Sequence, residues 1–463
     1  MTIVQMNEDA VEIAKQLDLE REAKKMRGPL HGMPVLIKDM IATHDGMETT
    51  SGSWTLFGTK PSAESTVAVK LREKGLIILG KTSMSEWANF RSLNSSNGWC
   101  ARNGQLYGGY YPRQDPSGSS SGSAVATDLA LSLFAIGTET VGSIVLPSER
   151  NNIVGIKPTV GLTSRYMVIP LSERQDTVGP MAMTVKEAAM LLQAIAGPDP
   201  KDNYTLASPF GDKLPNYSAA CKMSGLEGKR IGIPRNVLDY LGASGAPVLS
   251  AFEAATSVIR NAGATIVDNT NFTAYSDFLK SPEPALVEAA DFTSGIAAYL
   301  ASLEKNPNNF RNLKDIRSYT QNDSYEEYPS RDTGVWDEVI AAGINNTSPA
   351  FWPMYQRTLY FGEEGGLLGA LSRNNLDAVI LPTLIASDIP AVVGTPIITV
   401  PLGAYPDGTP IEYNARGNLI QKAPGIPFGI SFLGPKWSEE ALIGMAYAFE
   451  QRTLVRHQLG RRY

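Results

Sequence analysis

The side chains able to do covalent chemistry cluster in residues 115–147, DPSGSSSGSAVATDLALSLFAIGTETVGSIVLP. This stretch opens with a Ser/Gly loop, residues 117–123, and ends in a second one, residues 137–143. Both are too small-sided to pack as core. Between them a helix-like run, 124–131, is followed by an apolar strand-like run, 133–136. A helix of about ten residues advances roughly 15 Å, and a returning strand of about five covers nearly the same distance. The two loops are therefore expected side by side, which brings Ser119 and Ser143 within contact distance although two dozen positions separate them.

A serine hydroxyl becomes a nucleophile only when something takes its proton. The candidate partner is Lys38, which closes the buried strand-like run 35–37 in GPLHGMPVLIKDM. A lysine in that position is either driven toward its neutral form by desolvation or held charged by carboxylates. In the first case it is a base. In the second it is a strand-end salt bridge, for example to Asp39.

GPLHGMPVLIKD, LGKTSMSEWANF, GSSSGSA, GTETVGSIVLP and VGIKPTVGL, in this order and spacing, resemble the amidase signature family. The likeness is dense from Arg27 to about Pro198 and faint over about 203–372. It returns in DAVILPTL, GTPIITVPLG and PFGISFLGPKWSEEALIGMAYAFE, within about 373–455. The resemblance implies an α/β fold: a single domain over 1–463, with a large mixed β-sheet covered by α-helices on both faces. It also implies a Ser–Ser–Lys triad, with Ser143 as nucleophile, Ser119 as a bridging serine on a cis peptide and Lys38 as base. The backbone N–H groups of Thr140, Val141, Gly142 and Ser143 match the oxyanion hole. Attack on an amide builds negative charge on the carbonyl oxygen, and fixed donors in a dry site stabilise it strongly. The activity implied is hydrolysis of linear amides, with esters and carbamates as further substrates.

Three positions depart from the family pattern. Val141 stands where Gly is usual, Val145 where Arg is frequent, and Ser83 where Asn follows GKT. A β-branched residue resists positive φ and crowds a neighbouring N–H, so Val141 is expected to reshape the site or weaken catalysis. The rival to an independent enzyme is a catalytically impaired relative, or a subunit acting only inside an amidotransferase assembly. The long loop at 94–114 favours the free-standing form.

The elements that must position these groups follow from periodicity. Helices are expected at 9–17, 66–73, 246–262 and 439–452, and strands at 76–79, 265–267, 378–381, 397–400 and 428–433. Thr184 and Glu187 form a capping box ahead of an apolar helix, 188–196, which Gly197 and Pro198 stop. This βαβ rhythm predicts a sheet covered by helices. Loops as long as 93–115 are usually functional or disordered. This one carries Trp99, Tyr107, Tyr110 and Tyr111 just ahead of Ser119, so it is read as a substrate wall, with Trp99, Tyr107 and Gly118 as substrate-binding residues. Residues 271–346 read as polar and helix-broken, a variable cover over the cleft. Lys157, in VGIKPTVGL, is read as structural.

Other chemistry fits poorly. Residues 118–122 spell G-x-S-x-G around Ser120, but no strand signal precedes them and His457 is the only downstream histidine. Ser302 and Lys305 form an S-x-x-K match in what reads as a solvated helix end. With Cys100, Cys221 and three histidines, no metal-ligand spacing exists and no cofactor is expected. Isolated thiols are preferred over a Cys100–Cys221 disulfide. A formal charge of −6 and the absence of a basic block argue against nucleic acid. No apolar run approaches the roughly 20 residues needed to span a bilayer, so no membrane partner is expected, and the chain is read as a monomer or homodimer acting on a small-molecule amide. The N-terminus lacks signal-peptide character, which favours a cytoplasmic location. Sequons at Asn94, Asn203, Asn216, Asn271, Asn322, Asn345 and Asn346 would instead suit a secreted protein whose leader has been removed.

Overall fold

In the computed structural model, which describes residues 1–461, an 11-stranded mixed sheet runs through the whole molecule. Its strands are β1 (Ile3–Met6), β2 (Pro34–Lys38), β3 (Ile77–Thr82), β4 (Phe134–Glu139), β5 (Val154–Lys157) and β6 (Thr177–Ala182), then β7 (Arg230–Gly232), β8 (Thr265–Val267), β9 (Ala378–Pro382), β10 (Ile397–Ala404) and β11 (Pro427–Leu433). They lie in the order β1-β3-β2-β4-β6-β5-β10-β11-β9-β7-β8. β2 runs parallel to both β3 and β4, whereas β6 is antiparallel to β4 and β5. Every residue of β4, β6 and β11 is buried. A strand buried on both faces needs cover on both.

That cover comes from helices whose apolar residues repeat at helical spacing. α1 (Ala10–Glu22) lies on β3, and α2 (Thr66–Glu73) begins at Ser65, whose side chain accepts from Ala68 N–H. α3 (Ser121–Asp128) and α4 (Val145–Arg150) flank the two Ser/Gly loops. α5 (Val185–Ile195) begins with the capping box of Thr184 and Glu187, as the sequence predicts. α6 (Ala246–Asn261) and α8 (Glu439–Thr453) close the C-terminal half; between them in sequence lies α7 (Glu283–Ala301).

Three expectations need correction. Residues 271–346 are not helix-broken: α7 alone has 19 residues and buries Val287, Phe292, Ile296, Tyr299 and Leu300, with shorter helices at Leu313–Asn322 and Gly334–Ala342. β1, unseen in the sequence, pairs antiparallel with β3 at the sheet edge. β6 was also missed, because Pro180 and Gly179 interrupt a pattern that otherwise reads as strand. Both cysteines are free thiols. Among the described residues no helix is long and apolar enough to cross a membrane, and no cluster of His, Cys, Asp or Glu is arranged to hold a metal.

Candidate active site

Lys38 ends β2, and parallel pairing of β2 with β4 aligns Ile37 with Ile136, so the lysine emerges beside Thr138. The chain leaving β4 at Glu139 turns through residues 140–144 into α4. α3 starts just after Ser119 and Ser120. Its small residues allow a close approach: a side chain on Gly122 would meet the Ser83 carbonyl at 2.3 Å, and the Gly122 N–H donates to that carbonyl at 2.9 Å.

These elements bring three functional groups into line. Ser143 Oγ lies 3.1 Å from Ser119 Oγ, which lies 2.8 Å from Lys38 Nζ. The Gly118–Ser119 peptide is cis. Lys38 is fully buried and has further neighbours at Ser120 Oγ (3.0 Å), Thr138 Oγ1 (2.8 Å) and the Thr138 carbonyl (3.2 Å). No carboxylate forms an ion pair with it among the described residues. Asp39 instead accepts from Thr50 Oγ1 and the Gly52 N–H. Burial lowers the Lys38 pKa to about 7, against a smaller opposing pull from Glu139 and Asp176. A neutral amine has two N–H groups and one lone pair, so it can donate to one oxygen while accepting from a hydroxyl. The surrounding Ser and Thr side chains suit that state.

The loop holding Ser143 is organised by Glu139, whose part the sequence reading did not anticipate. Its buried carboxylate accepts from the N–H groups of Gly142 (2.9 Å), Ile144 (2.7 Å) and Val145 (3.0 Å). Gly142 N–H is therefore already engaged. The N–H groups of Thr140, Val141 and Ser143 have no protein acceptor among the described residues. The strained backbone conformation falls on Gly142, at φ +76°, and not on Val141. The β-branched side chain of Val141 thus meets no conformational penalty there, which removes the reason to expect a distorted loop. Thr140 Oγ1 is fixed by Asp176 at 2.6 Å.

A cavity of about 350 Å³ lies beside this centre, bordered by Thr138 and Thr140 but not by Lys38, Ser119 or Ser143 themselves. Met40, Met167, Ile169, Val178, Ala298 and Tyr299 give it a largely apolar wall. The aromatic residues of the 94–114 loop do not line it, contrary to the substrate-wall expectation. Trp99 is buried between Arg91 and Arg331, their guanidinium carbons 5.7 and 4.3 Å from its ring. Tyr110 is buried and donates to Asp128, and Tyr107 is exposed to solvent. Gly118 packs with Ser85 and Asn97, where a side chain would meet atoms at 2.3 and 2.9 Å. α7 and the 165–178 segment supply the wall instead. Ser120, the centre of the G-x-S-x-G match, touches Lys38 and the Thr138 carbonyl and no histidine among the described residues.

Comparison with known proteins agrees with this architecture. Residues 2–443 match the family described as Amidase. A putative amidase of Arthroderma benhamiae is 55% identical over 459 residues, covering 99% of this chain and 77% of the relative. A probable amidase of Arabidopsis thaliana is 36% identical, covering 98% of this chain and 83% of that one. Among solved structures, the peptide amidase of Stenotrophomonas maltophilia superposes with a TM-score of 0.88 at 36% identity, covering 100% of this chain and 91% of that one. With a matching family profile across nearly its whole length, amidases as relatives and the mixed sheet of a peptide amidase, the chain belongs to the amidase family and is an amide hydrolase.

Proposed function

We propose that the protein hydrolyses apolar or aryl carboxylic amides through an acyl-enzyme on Ser143, with Ser119 and Lys38 as proton relay. The observation that carries this reading is the unbroken Ser143–Ser119–Lys38 chain, at 3.1 and 2.8 Å, ending on an amine that forms no ion pair among the described residues. Neutral Lys38 takes the Ser119 proton while Ser119 takes that of Ser143, and Ser143 Oγ bonds to the carbonyl carbon. The developing oxyanion meets the Thr140, Val141 and Ser143 N–H groups, in a loop that Glu139 fixes through the Gly142, Ile144 and Val145 amides, so little reorganisation is needed. The proton then returns through Ser119 to the nitrogen as the C–N bond breaks, releasing an amine. Water attacks the acyl-enzyme by the same relay and frees the acid. Esters and carbamates follow the same course, since their leaving groups demand less protonation. Similarity to a peptide amidase supports amides of peptides among the substrates.

The test is turnover of a chromogenic anilide with mass analysis of the trapped intermediate. The acyl group is expected on Ser143 and is lost in Ser143→Ala; acylation at another residue, or turnover that survives Ser143→Ala, contradicts the reading.

A further inference from the structure

The loop of residues 140–144, which carries Ser143, is held at both ends by a carboxylate. On the α4 side Glu139 takes the Gly142, Ile144 and Val145 amides. At the other end stands Asp176, and strand register puts it there. β4 and β6 are antiparallel and pair Glu139 with Thr177, so one step further Asp176 faces Thr140.

Asp176 divides its two oxygens between two tasks. Oδ2 accepts from the Leu171 and Ser172 N–H groups at 2.7 and 3.0 Å, which fixes the carboxylate to its own segment. Ser172 is held in turn by Asp291 of α7, to which its Oγ donates at 2.7 Å. Oδ1 is left for Thr140 Oγ1, at 2.6 Å. Three donors converge on the group, the pattern of an ionised carboxylate. Burial raises its pKa, and these hydrogen bonds and the Arg165 charge oppose that rise. It forms no ion pair among the described residues, because Arg165 is taken by Asp202 and Arg174 by Glu173 and Asp291. A hydroxyl bonded to an ionised acceptor is held roughly twice as strongly as one bonded to a neutral group. The charge also reaches the relay: with Glu139, Asp176 pulls the Lys38 pKa up against burial. The other charged groups that face Asp176 are Arg165 on its own segment and Glu288 and Asp291 on α7.

Resting on the triad reading above, we infer that Asp176 is a positioning residue for acyl transfer. Through Thr140 it sets the β4 end of the nucleophile loop, whose Thr140, Val141 and Ser143 N–H groups are free to receive the oxyanion. Such a site works because its donors are fixed before charge develops. A displacement of about 1 Å there costs about 10²-fold in rate. Asp176 acts through Thr140 and not on the reacting atoms.

The experiment follows single-turnover acylation by an activated ester, and its pH profile, in Asp176→Asn, Thr140→Val and the double variant, with Thr140→Ser as the conservative control. Asn keeps the shape but offers one accepting oxygen, so it cannot serve both Thr140 and the 171–172 amides. Asp176→Asn and Thr140→Val should each lower the acylation rate by about 10- to 100-fold while KM changes by less than about threefold. The double variant should fall no more than about threefold below the slower single variant, since both remove the same link. Thr140→Ser keeps the hydroxyl and should stay within about threefold of wild type. The pH profile separates this role from support of the fold. Asp176→Asn removes a negative charge near Lys38 and should move the inflection to lower pH by about half a unit, whereas Thr140→Val should leave it in place. Losses that multiply in the double variant, Thr140→Val acylation within about twofold of wild type, or an unmoved inflection in Asp176→Asn overturn the assignment. If Asp176→Asn does not fold, Thr140→Val against Thr140→Ser decides alone. Acylation surviving in Ser143→Ala would instead overturn the triad reading, so the two failures are distinguishable.

Discussion

Among the described residues three lysines are fully buried, and the pocket around Lys38 differs from those around Lys81 and Lys157. Lys81 Nζ donates to the Ile41 carbonyl and to Thr49 Oγ1, with Asp39 as the strongest opposing charge. Lys157 Nζ donates to the Thr395 carbonyl, with the Glu139 and Glu439 carboxylates around it. Carbonyls and carboxylates only accept, so they favour the ammonium form. Lys38 faces one carbonyl, that of Thr138, and three hydroxyls, against one hydroxyl at Lys81, and hydroxyls can donate to an amine as well as accept from it. Burial lowers all three lysines, Lys81 and Lys157 to about 8 and Lys38 to about 7. Burial is thus common to all, and the kind of neighbour separates the proposed base from the structural pair.

The sharpest way to break this contrast is substitution within the relay. Lys38→Ala and Ser143→Ala should each lower anilide kcat/KM by at least about 10⁴-fold, whereas Ser119→Ala should leave measurable traces. Near wild-type turnover in Lys38→Ala would erase the distinction between the lysines. Glu139→Ala releases the Gly142, Ile144 and Val145 amides and removes one of the charges that hold the Lys38 pKa up, while leaving the hydrogen bonds of the relay in place. A loss of about 10²-fold, mostly in kcat, is expected from misplacing the nucleophile.

Stability should separate the lysines in the opposite direction. Lys157→Met leaves Glu139 and Glu439 without their cation and should cost a few kcal/mol in denaturant unfolding. Lys38→Met removes a buried amine with no ion pair and should unfold at equal or higher Tm near neutral pH. Its sign follows from linkage. Between the folded value of about 7 and the ordinary 10.5 the unfolded chain binds more protons at Lys38, so wild-type stability from this residue rises with pH across that window. The advantage of Lys38→Met should therefore shrink as pH rises toward 10.5. The smallest effect is expected at Val141. Because Gly142 carries the positive φ, Val141→Gly should change kcat/KM by less than about threefold.

How far the site was legible depended on which atoms were involved. The proximity of Ser119 and Ser143 follows from the out-and-back path of α3 and β4, whereas the strand-end position of Lys38 left a base and a salt bridge both open, and the family resemblance chose between them. The loop proposed to hold the oxyanion was only partly readable, since the engagement of Gly142 N–H by Glu139 depends on where a carboxylate folds back. No residue pattern announces that. The 94–114 loop misled because its aromatics look like a substrate wall, while Arg91 and Arg331 claim Trp99 and Asp128 claims Tyr110. The wall of the cavity beside the triad lies partly on α7, a helix hidden in a stretch whose Asp and Asn residues suggested breaks. There the apolar face packs against the helices Leu313–Asn322, Gly334–Ala342 and Phe351–Gly362 and against Phe90, and the tertiary contact outweighs local composition.

The measurement closest to the central claim is the pH dependence of Ser143 acylation, followed as a single-turnover burst with an activated ester. If Lys38 works as a neutral base relayed through Ser119, the acylation rate should climb about tenfold per unit below pH 7 and level off above it. Lys38→Ala should lose both the rate and that inflection. A wild-type profile flat across this range, or the same inflection persisting without Lys38, would contradict the account.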